Sequence, residues 1–285
     1  MMGAIEKIIR PGVHRGISNA EYHAAPALSN TGLSWLARSP EIFYARALDP
    51  NRPPERERAG QLEGTLAHCA ILEPEEFAKR YRIGQDVATR AAKAWKEAEE
   101  AAAGEGLQLI KRGEYEAAMR QAESVRRLPE ISELLSSGMP ELSAFWEDRD
   151  TGVLCKCRPD WTHDAGGGVI LLDVKTYQSA SPREFSRQIA RKGYYRQDAH
   201  YSIGFEIAAG VPVLGFVFVA VETEYPYSSC AVMLDDTAKA QGRRECRRLT
   251  DLYAECLKRN EWPGYSQAIE LVGLPKYLID QPEEE

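Results

Sequence analysis

Residues 152–176, GVLCKCRPDWTHDAGGGVILLDVKT, decide the fold. Two strand-like stretches, 152–160 and 169–176, flank a loop that contains three consecutive glycines. Glycine-rich loops between such stretches are typical of β-hairpins. We therefore expect a hairpin in which Asp160 ends the first strand and lies beside the second.

The second strand of this hairpin carries two charged residues. Asp173 and Lys175 are two positions apart, so an extended strand projects both to one face while Val174 packs behind them. Strand pairing can bring Asp160 alongside, which would place two carboxylates and one lysine on a single patch. The alternative is an exposed aspartate and lysine that form a weak surface ion pair.

Such a patch suits metal-assisted hydrolysis of a phosphodiester. Two hard oxygen ligands suit Mg²⁺, or Mn²⁺ in its place, and these ions complete their coordination with water and substrate phosphate. A neighbouring lysine can orient or deprotonate water and can stabilise charge that develops on the phosphate. On this hypothesis Asp160, Asp173 and Lys175 are the catalytic residues.

The rest of the chain predicts helices before this stretch and alternating elements after it. Predicted helices cover 26–48 with a corner at Ser39-Pro40, 61–72, three segments within 86–137, 194–209 and 236–260, and further strands cover 141–148, 213–222 and 227–234. This order indicates an α/β (α+β) fold with a mixed sheet of about five strands, flanking helices and an N-terminal helical layer. Because no linker divides the chain, we expect a single domain 1–285, with a mainly helical part at 1–139, a sheet core with the catalytic motifs at 140–262 and a tail at 263–285.

The composition is that of an ordinary globular protein. The 285 residues are 44% hydrophobic and 28% charged, which excludes a disordered, collagenous or coiled-coil chain. The net charge of -7 argues against a positively charged coat but leaves room for a local basic groove. Basic residues cluster at 187–196 and at Arg243 to Arg248, and either cluster alone is more often a solvated helix face.

Several features concern the location of the protein. The longest apolar stretch, 211–221, is too short to span a membrane, and the first 18 residues lack the apolar core of a signal peptide. The six cysteines are too scattered for a disulfide scaffold, and there is no CxxC pair. We therefore expect a cytoplasmic protein with no membrane association.

A family resemblance emerges from the order of the motifs. GxxxH at 64–68, Asp160, DxK at 173–175 and QxxxY at 197–201 together resemble the RecB-like branch of the PD-(D/E)xK nuclease superfamily. More specifically, LSNTGLSWLARSP, TGVLCKCRPDWTHD, LLDVKT and YYRQDAHYSIGFE resemble the C-terminal nuclease domain of the exodeoxyribonuclease VIII (RecE) family. The resemblance runs through most of the chain.

The resemblance implies roles for particular residues. Asp160 and Asp173 would bind the metal together with His68 and the backbone carbonyl of Val174, and Lys175 would activate water. Two further residues, Gln197 and Tyr201, would hold the substrate strand or orient the lysine. The middle position of the usual Asp…Glu-x-Lys motif is an aspartate here, which is also usual among RecE-like members.

The resemblance also implies a bacterial or phage-encoded protein, an activity and partners. It implies a Mg²⁺-dependent exonuclease that degrades linear double-stranded DNA from 5′ ends and leaves 3′ single-stranded overhangs for recombination. It further implies a ring-shaped homo-oligomer, such as a tetramer, and a RecT-like single-strand annealing partner. Two alternatives stay open: a non-catalytic DNA-end binding or assembly protein with this fold, and a Cas4-like or AddB-like iron–sulfur nuclease.

The remaining candidates are polar residues outside these motifs. Ser29 is expected to cap a helix whose N-terminal turn could hold the 5′-phosphate of a DNA end, with Arg38 nearby. His68 could instead be a core histidine, and Gln197 with Tyr201 a pair at the edge of the core. His163 and His200 fall outside the motifs and are expected at the surface.

Overall fold

The computed structural model describes residues 10–54 and 60–274, which contain eleven α-helices and ten strands. The helices are α1 (Asn19–Ala24), α2 (Asn30–Leu36), α3 (Pro40–Phe43, continued by a π-helical turn Tyr44–Leu48), α4 (Gln61–Leu72), α5 (Pro74–Arg80), α6 (Lys93–Gly104), α7 (Arg112–Arg126), α8 (Pro129–Ser136), α9 (Pro182–Lys192), α10 (Tyr194–Ala209) and α11 (Asp236–Arg259). The strands are β1 (Gly12–His14), β2 (Tyr81–Ile83), β3 (Gln108–Ile110), β4 (Met139–Pro140), β5 (Ser143–Glu147), β6 (Leu154–Cys157), β7 (Trp161–Asp164), β8 (Val169–Tyr177), β9 (Val213–Glu222) and β10 (Ser229–Val232).

The central element is a five-stranded mixed sheet with the order β10-β9-β8-β7-β4. Its middle strands β8 and β9 are parallel, and helices α9 and α10 form the crossover between them. The other neighbours are antiparallel. The predicted fold class, a mixed sheet of about five strands flanked by helices, is confirmed.

Residue alternation along β8 and β9 divides the core between the two faces of the sheet. Leu171 and Phe218 pack on one face with residues of α9, α10 and the three-stranded sheet β1-β5-β6. Leu172 and Val174 pack on the other face against α4 and α7. Because Asp173 and Lys175 alternate with these residues, both lie on the face that α9 and α10 cover.

The hairpin around the three glycines differs from the prediction. The strand that pairs with β8 is β7, which begins at Trp161, with Trp161 opposite Leu172. Strand β6, which was expected to be that partner, pairs with β5 in the smaller sheet. The chain changes sheets at Arg158-Pro159-Asp160, so Asp160 stands immediately before the pairing strand instead of ending it. Proline lacks the amide N–H that a continuous strand would need there.

Several short elements were not predicted. Strands β1, β2 and β3 each have three residues. Strand β1 belongs to the mainly helical part of the chain but pairs with β5, so it contributes a strand to the smaller sheet. His200, expected at the surface, is instead buried on α10, where its Nε2 lies 3.1 Å from the carbonyl oxygen of Lys156. Of the tail, residues 263–274 form no helix or strand and 275–285 lie outside the described residues, as do residues 1–9 of the N-terminal stretch.

Candidate active site

Asp160 lies beside β8, just beyond the end of the pairing between β7 and β8. The pairing of β7 with β8 ends at Trp161 and Leu172, so the next part of β8 has no strand on that side. There the carboxylate of Asp160 accepts a hydrogen bond of 2.7 Å from the backbone N–H of Val174. Because the N–H and C=O of one strand residue face the same neighbour, the Val174 carbonyl also faces the side of Asp160.

Asp173 and Lys175 lie side by side on β8. The Lys175 ammonium contacts Oδ1 of Asp173, and the side-chain amide of Gln197 donates a hydrogen bond to Oδ2 of the same carboxylate. Asp173 and Gln197 are buried, and the lysine side chain keeps 20% of its surface exposed. Gln197 on α10 therefore holds a carboxylate of the cluster, whereas the resemblance implied that it would hold substrate or orient the lysine.

His68 reaches the cluster from the other face of the sheet. It lies on α4, and its Nδ1 is 3.4 Å from Oδ2 of Asp160. One turn earlier on this helix, Gly64 approaches Thr176 of β8, where a Cβ would stand 3.6 Å from the threonine hydroxyl. That distance is an ordinary van der Waals contact, so the close approach would also admit alanine.

The pKa values of the cluster reflect burial and mutual charge. Burial, and then the nearby charge of Asp173, raise the pKa of Asp160 to about 6, although His68, Lys175 and the Val174 N–H oppose the rise. Burial by itself would lower the pKa of Lys175, but the charges of Asp173 and Asp160 outweigh it and raise that pKa above its ordinary value. The lysine is therefore an ammonium at neutral pH.

The donor set has the chemistry that a hard divalent cation requires. Asp160 and Asp173 supply carboxylate oxygens, and His68 a ring nitrogen, beside a strand carbonyl. Among the described residues Lys175 is the one lysine or arginine that pairs with this cluster, so the buried Asp173 and the half-buried Asp160 together carry negative charge that a metal would neutralise. Among the described residues, however, no three His, Cys, Asp or Glu side chains already converge on one point, since Asp173 is engaged by Lys175 and Gln197.

Two tyrosines complete the surroundings of Lys175 and were not assigned a role from the sequence. The Lys175 ammonium lies 4.8 Å from the ring centroid of Tyr194, the first residue of α10. The Tyr194 hydroxyl in turn forms a hydrogen bond with that of Tyr177 at the end of β8. Tyr194 stands one helical turn before Gln197, a spacing that could have signalled a shared face.

The remaining candidates lie apart from these contacts. Tyr201 packs its ring against Phe216, and burial, followed by the neighbouring Tyr22 and Asp173, raises the pKa of its phenol well above the ordinary value. Ser29 caps α2 by accepting a hydrogen bond from the Gly32 N–H. Arg38 is exposed beyond the opposite end of this helix, so the two do not flank one N-terminal turn.

The fold and the cluster define a nuclease-like domain of the PD-(D/E)xK superfamily. A family profile described as "PDDEXK-like domain of unknown function (DUF3799)" matches residues 29–275, and the chain belongs to that family. No curated protein matches the sequence.

A solved structure of low sequence identity shares the fold. A candidate exonuclease from Eubacterium rectale is 13% identical with a TM-score of 0.62, and the match covers 94% of this chain and 98% of that one. An alkaline exonuclease from Laribacter hongkongensis is 18% identical with a TM-score of 0.28, over 66% of this chain and 97% of that one.

Among the described residues, no helix combines the length and apolar character needed to cross a membrane.

Proposed function

We propose that this chain is a metal-dependent exodeoxyribonuclease that degrades linear double-stranded DNA from its 5′ ends. The observation that carries the proposal is the cluster of Asp160, Asp173 and Lys175, in which a buried carboxylate, a half-buried carboxylate and an ammonium share one end of the sheet. A structural ion pair would need only one carboxylate. The second carboxylate, Asp160, has its pKa raised to about 6, and a bound cation would stabilise its charged form.

The residues of the cluster have distinct tasks in this proposal. Lys175, held by Asp173 and resting on the Tyr194 ring, orients the attacking water and stabilises negative charge on the phosphate. Gln197 fixes the carboxylate of Asp173, and the Val174 N–H fixes that of Asp160. These hydrogen bonds set the positions of both carboxylates before substrate arrives.

The proposed cofactor is Mg²⁺, with Mn²⁺ able to replace it. Asp160, Asp173, His68 and the Val174 carbonyl would hold it, and the bound ion would neutralise charge that develops on the scissile phosphate. The reaction leaves a 5′-phosphate on the released product. Tyr201 is a proposed contact of the DNA strand on the resemblance to RecE alone, and Ser29 is one because a helix N-terminal turn favours an anion.

The biological setting is proposed on the same resemblance. The nuclease would generate 3′ single-stranded overhangs for recombination by annealing, together with a RecT-like annealing protein. It would act in the cytoplasm of a bacterium as a ring-shaped homo-oligomer such as a tetramer. A chain of net charge -7 suits a ring with an acidic outside and a basic channel.

The first test is digestion of linear duplex DNA that carries a label at the 5′ end in one sample and at the 3′ end in another. We expect early release of the 5′ label with Mg²⁺ or Mn²⁺, and no release with EDTA. Lys175→Ala serves as the matched inactive variant.

Each other outcome corrects a particular part of the proposal. Early release of the 3′ label would reverse the polarity but keep the nuclease. Equal cleavage by the Lys175→Ala variant would overturn the assigned site. Absence of cleavage by folded protein with either metal would favour a non-catalytic DNA-end binding protein.

A further inference from the structure

Helix α9 carries a stripe of arginines outside the candidate active site. Arg183, Arg187 and Arg191 recur every four residues and are all exposed. Residues four apart lie on one helix face, about 6 Å apart along the axis. The three guanidinium groups therefore form one row about 12 Å long, which we name the α9 arginine row.

The row faces away from the core because the opposite face of the helix is firmly packed. Phe185 is fully buried, and its ring lies 5.8 Å from that of Tyr177 and 6.3 Å from that of Phe218. At about 100° per residue, Phe185 and Ile189 project opposite the three arginines. The helix is thus fixed by its packed face and exposes the row to solvent.

Helix α9 is close to the candidate active site, both in the chain and in space. In the chain, α9 lies between Lys175 on β8 and Gln197 on α10. In space, the Phe185 ring lies 6.2 Å from that of Tyr194, whose ring lies 4.8 Å from the Lys175 ammonium. One layer of aromatic side chains therefore separates α9 from the lysine.

The charge of the row is largely uncompensated. Arg187 pairs with Glu184, but among residues 10–54 and 60–274 no carboxylate forms an ion pair with Arg183 or Arg191. The other basic cluster, on α11, is compensated at two of its four arginines, while Arg243 and Arg244 are exposed and form no ion pair with a described carboxylate. There Arg247 pairs with Asp148, Asp150 and Asp251, and Arg248 pairs with Glu245.

We propose that the α9 arginine row binds successive phosphates of duplex DNA beside the active site. The proposal rests on the proposed function and names a surface that grips its substrate. Arginine is suited to phosphate oxygens, and a row of cations without neighbouring base-reading groups positions DNA without reading its sequence. Free arginines on a rigid helix bind a polyanion without first breaking internal ion pairs.

The test measures binding of a blunt DNA duplex in EDTA, which prevents metal-dependent cleavage, at several salt concentrations. The triple variant Arg183→Gln, Arg187→Gln, Arg191→Gln should bind about 100-fold more weakly at 0.1 M salt. The slope of log Kd against log salt should fall by up to about 2.7, since each phosphate contact contributes about 0.9. The matched control, Arg243→Gln, Arg244→Gln, Arg248→Gln on α11, removes equal charge from a surface that the proposal does not place on the DNA, so it should change binding by less than about threefold.

A second variant separates charge from folding. Replacing the three α9 arginines by lysine keeps the charge, so binding should stay within about tenfold of wild type. Circular dichroism should show all variants folded, because the substituted side chains are exposed. Equal losses in the α9 and α11 variants, or wild-type binding by the α9 glutamine variant, would overturn the proposal.

Parallel digestion of the labelled duplex in Mg²⁺ distinguishes this proposal from the proposed function. If wild type cleaves DNA and the α9 glutamine variant binds normally, the row is wrong and the nuclease stands. If the variant loses binding while wild type binds without cleaving, the row stands and the nuclease is wrong. If wild type neither binds nor cleaves duplex DNA, both are wrong.

Discussion

Two lysines on strands of different sheets, Lys156 on β6 and Lys175 on β8, have similar surroundings but different hydrogen-bond and ion-pair partners. Each is mostly buried on a strand, and each ammonium lies over a tyrosine ring, at 4.9 Å for Lys156 and 4.8 Å for Lys175. The Lys156 ammonium donates hydrogen bonds to the carbonyl oxygens of Tyr22 and Ala25, at 2.6 and 2.7 Å. Lys175 meets the Asp173 carboxylate instead.

Because their partners differ, the pKa values of the two lysines shift in opposite directions. Burial, followed by the charge of Arg158, lowers the pKa of Lys156 to about 8. Two carboxylates more than offset the same effect at Lys175 and raise its pKa. Lys156 thus caps the C-terminal end of α1, whereas Lys175 belongs to a charged cluster and keeps 20% of its side chain exposed. The presence of carboxylates beside Lys175, and of carbonyl groups beside Lys156, is what distinguishes the two.

Removing the Lys175 ammonium should have the largest effect on cleavage. Lys175→Met keeps the length of the side chain but leaves no group to orient water, so the cleavage rate should fall by about 10³-fold. The free energy of unfolding should fall by less than about 2 kcal/mol, because a buried carboxyl can take up a proton when its partner is lost. Single-turnover digestion and urea unfolding measure the two quantities. A rate within tenfold of wild type would remove the distinction between the lysines.

Removing the Lys156 ammonium should instead affect stability. Lys156→Met leaves the carbonyl groups of Tyr22 and Ala25 without their donor, so the free energy of unfolding should fall by about 2–4 kcal/mol. Cleavage per folded molecule should stay within about threefold of wild type. The same urea and digestion measurements apply, and a rate loss as large as that of Lys175→Met would contradict the structural role.

The lowered pKa of Lys156 predicts a pH dependence of stability. Its pKa is about 8 when folded and 10.5 as the ordinary value, so the unfolded chain holds more protons between these limits. The free energy of unfolding of wild type relative to Lys156→Met should therefore rise by about 1–2 kcal/mol from pH 7 to 9.5. Urea unfolding of both proteins across this range tests it. A difference that is constant or shrinks with pH would show that the lysine is not desolvated.

The smallest effects should follow changes that leave both rings in place. Tyr194→Phe keeps the ring face under Lys175 and removes only the hydrogen bond with Tyr177. We expect cleavage within about threefold of wild type and a loss of about 1 kcal/mol in the free energy of unfolding. Tyr22→Phe, the matched change under Lys156, should likewise leave cleavage unchanged. A tenfold rate loss in Tyr194→Phe alone would assign the hydroxyl, and not the ring, to the site.

Prediction from sequence was most accurate for long, strongly patterned elements. Helices α4 and α10 and strand β9 have the predicted bounds, and Gly193 and Gly210 mark the two ends of α10 in left-handed conformations. Strands β1 and β7 were missed because three or four residues carry too little pattern to be recognised. Such short strands exist because a neighbouring strand supplies their hydrogen bonds.

The sequence by itself determined the alternation that puts Asp173 and Lys175 on one face of β8 and Leu172 and Val174 on the other. That result follows from the two-residue period of a strand and needs no other part of the chain. Only the tertiary structure decided that β7 ends where Asp160 can meet the Val174 N–H, and that His68 on α4 reaches the same carboxylate. The tertiary structure also decided the partners of Lys156, because the carbonyl oxygen of Tyr22 that it contacts belongs to an element distant in the chain. The partner of Lys175, by contrast, is the carboxylate of Asp173 on the same strand.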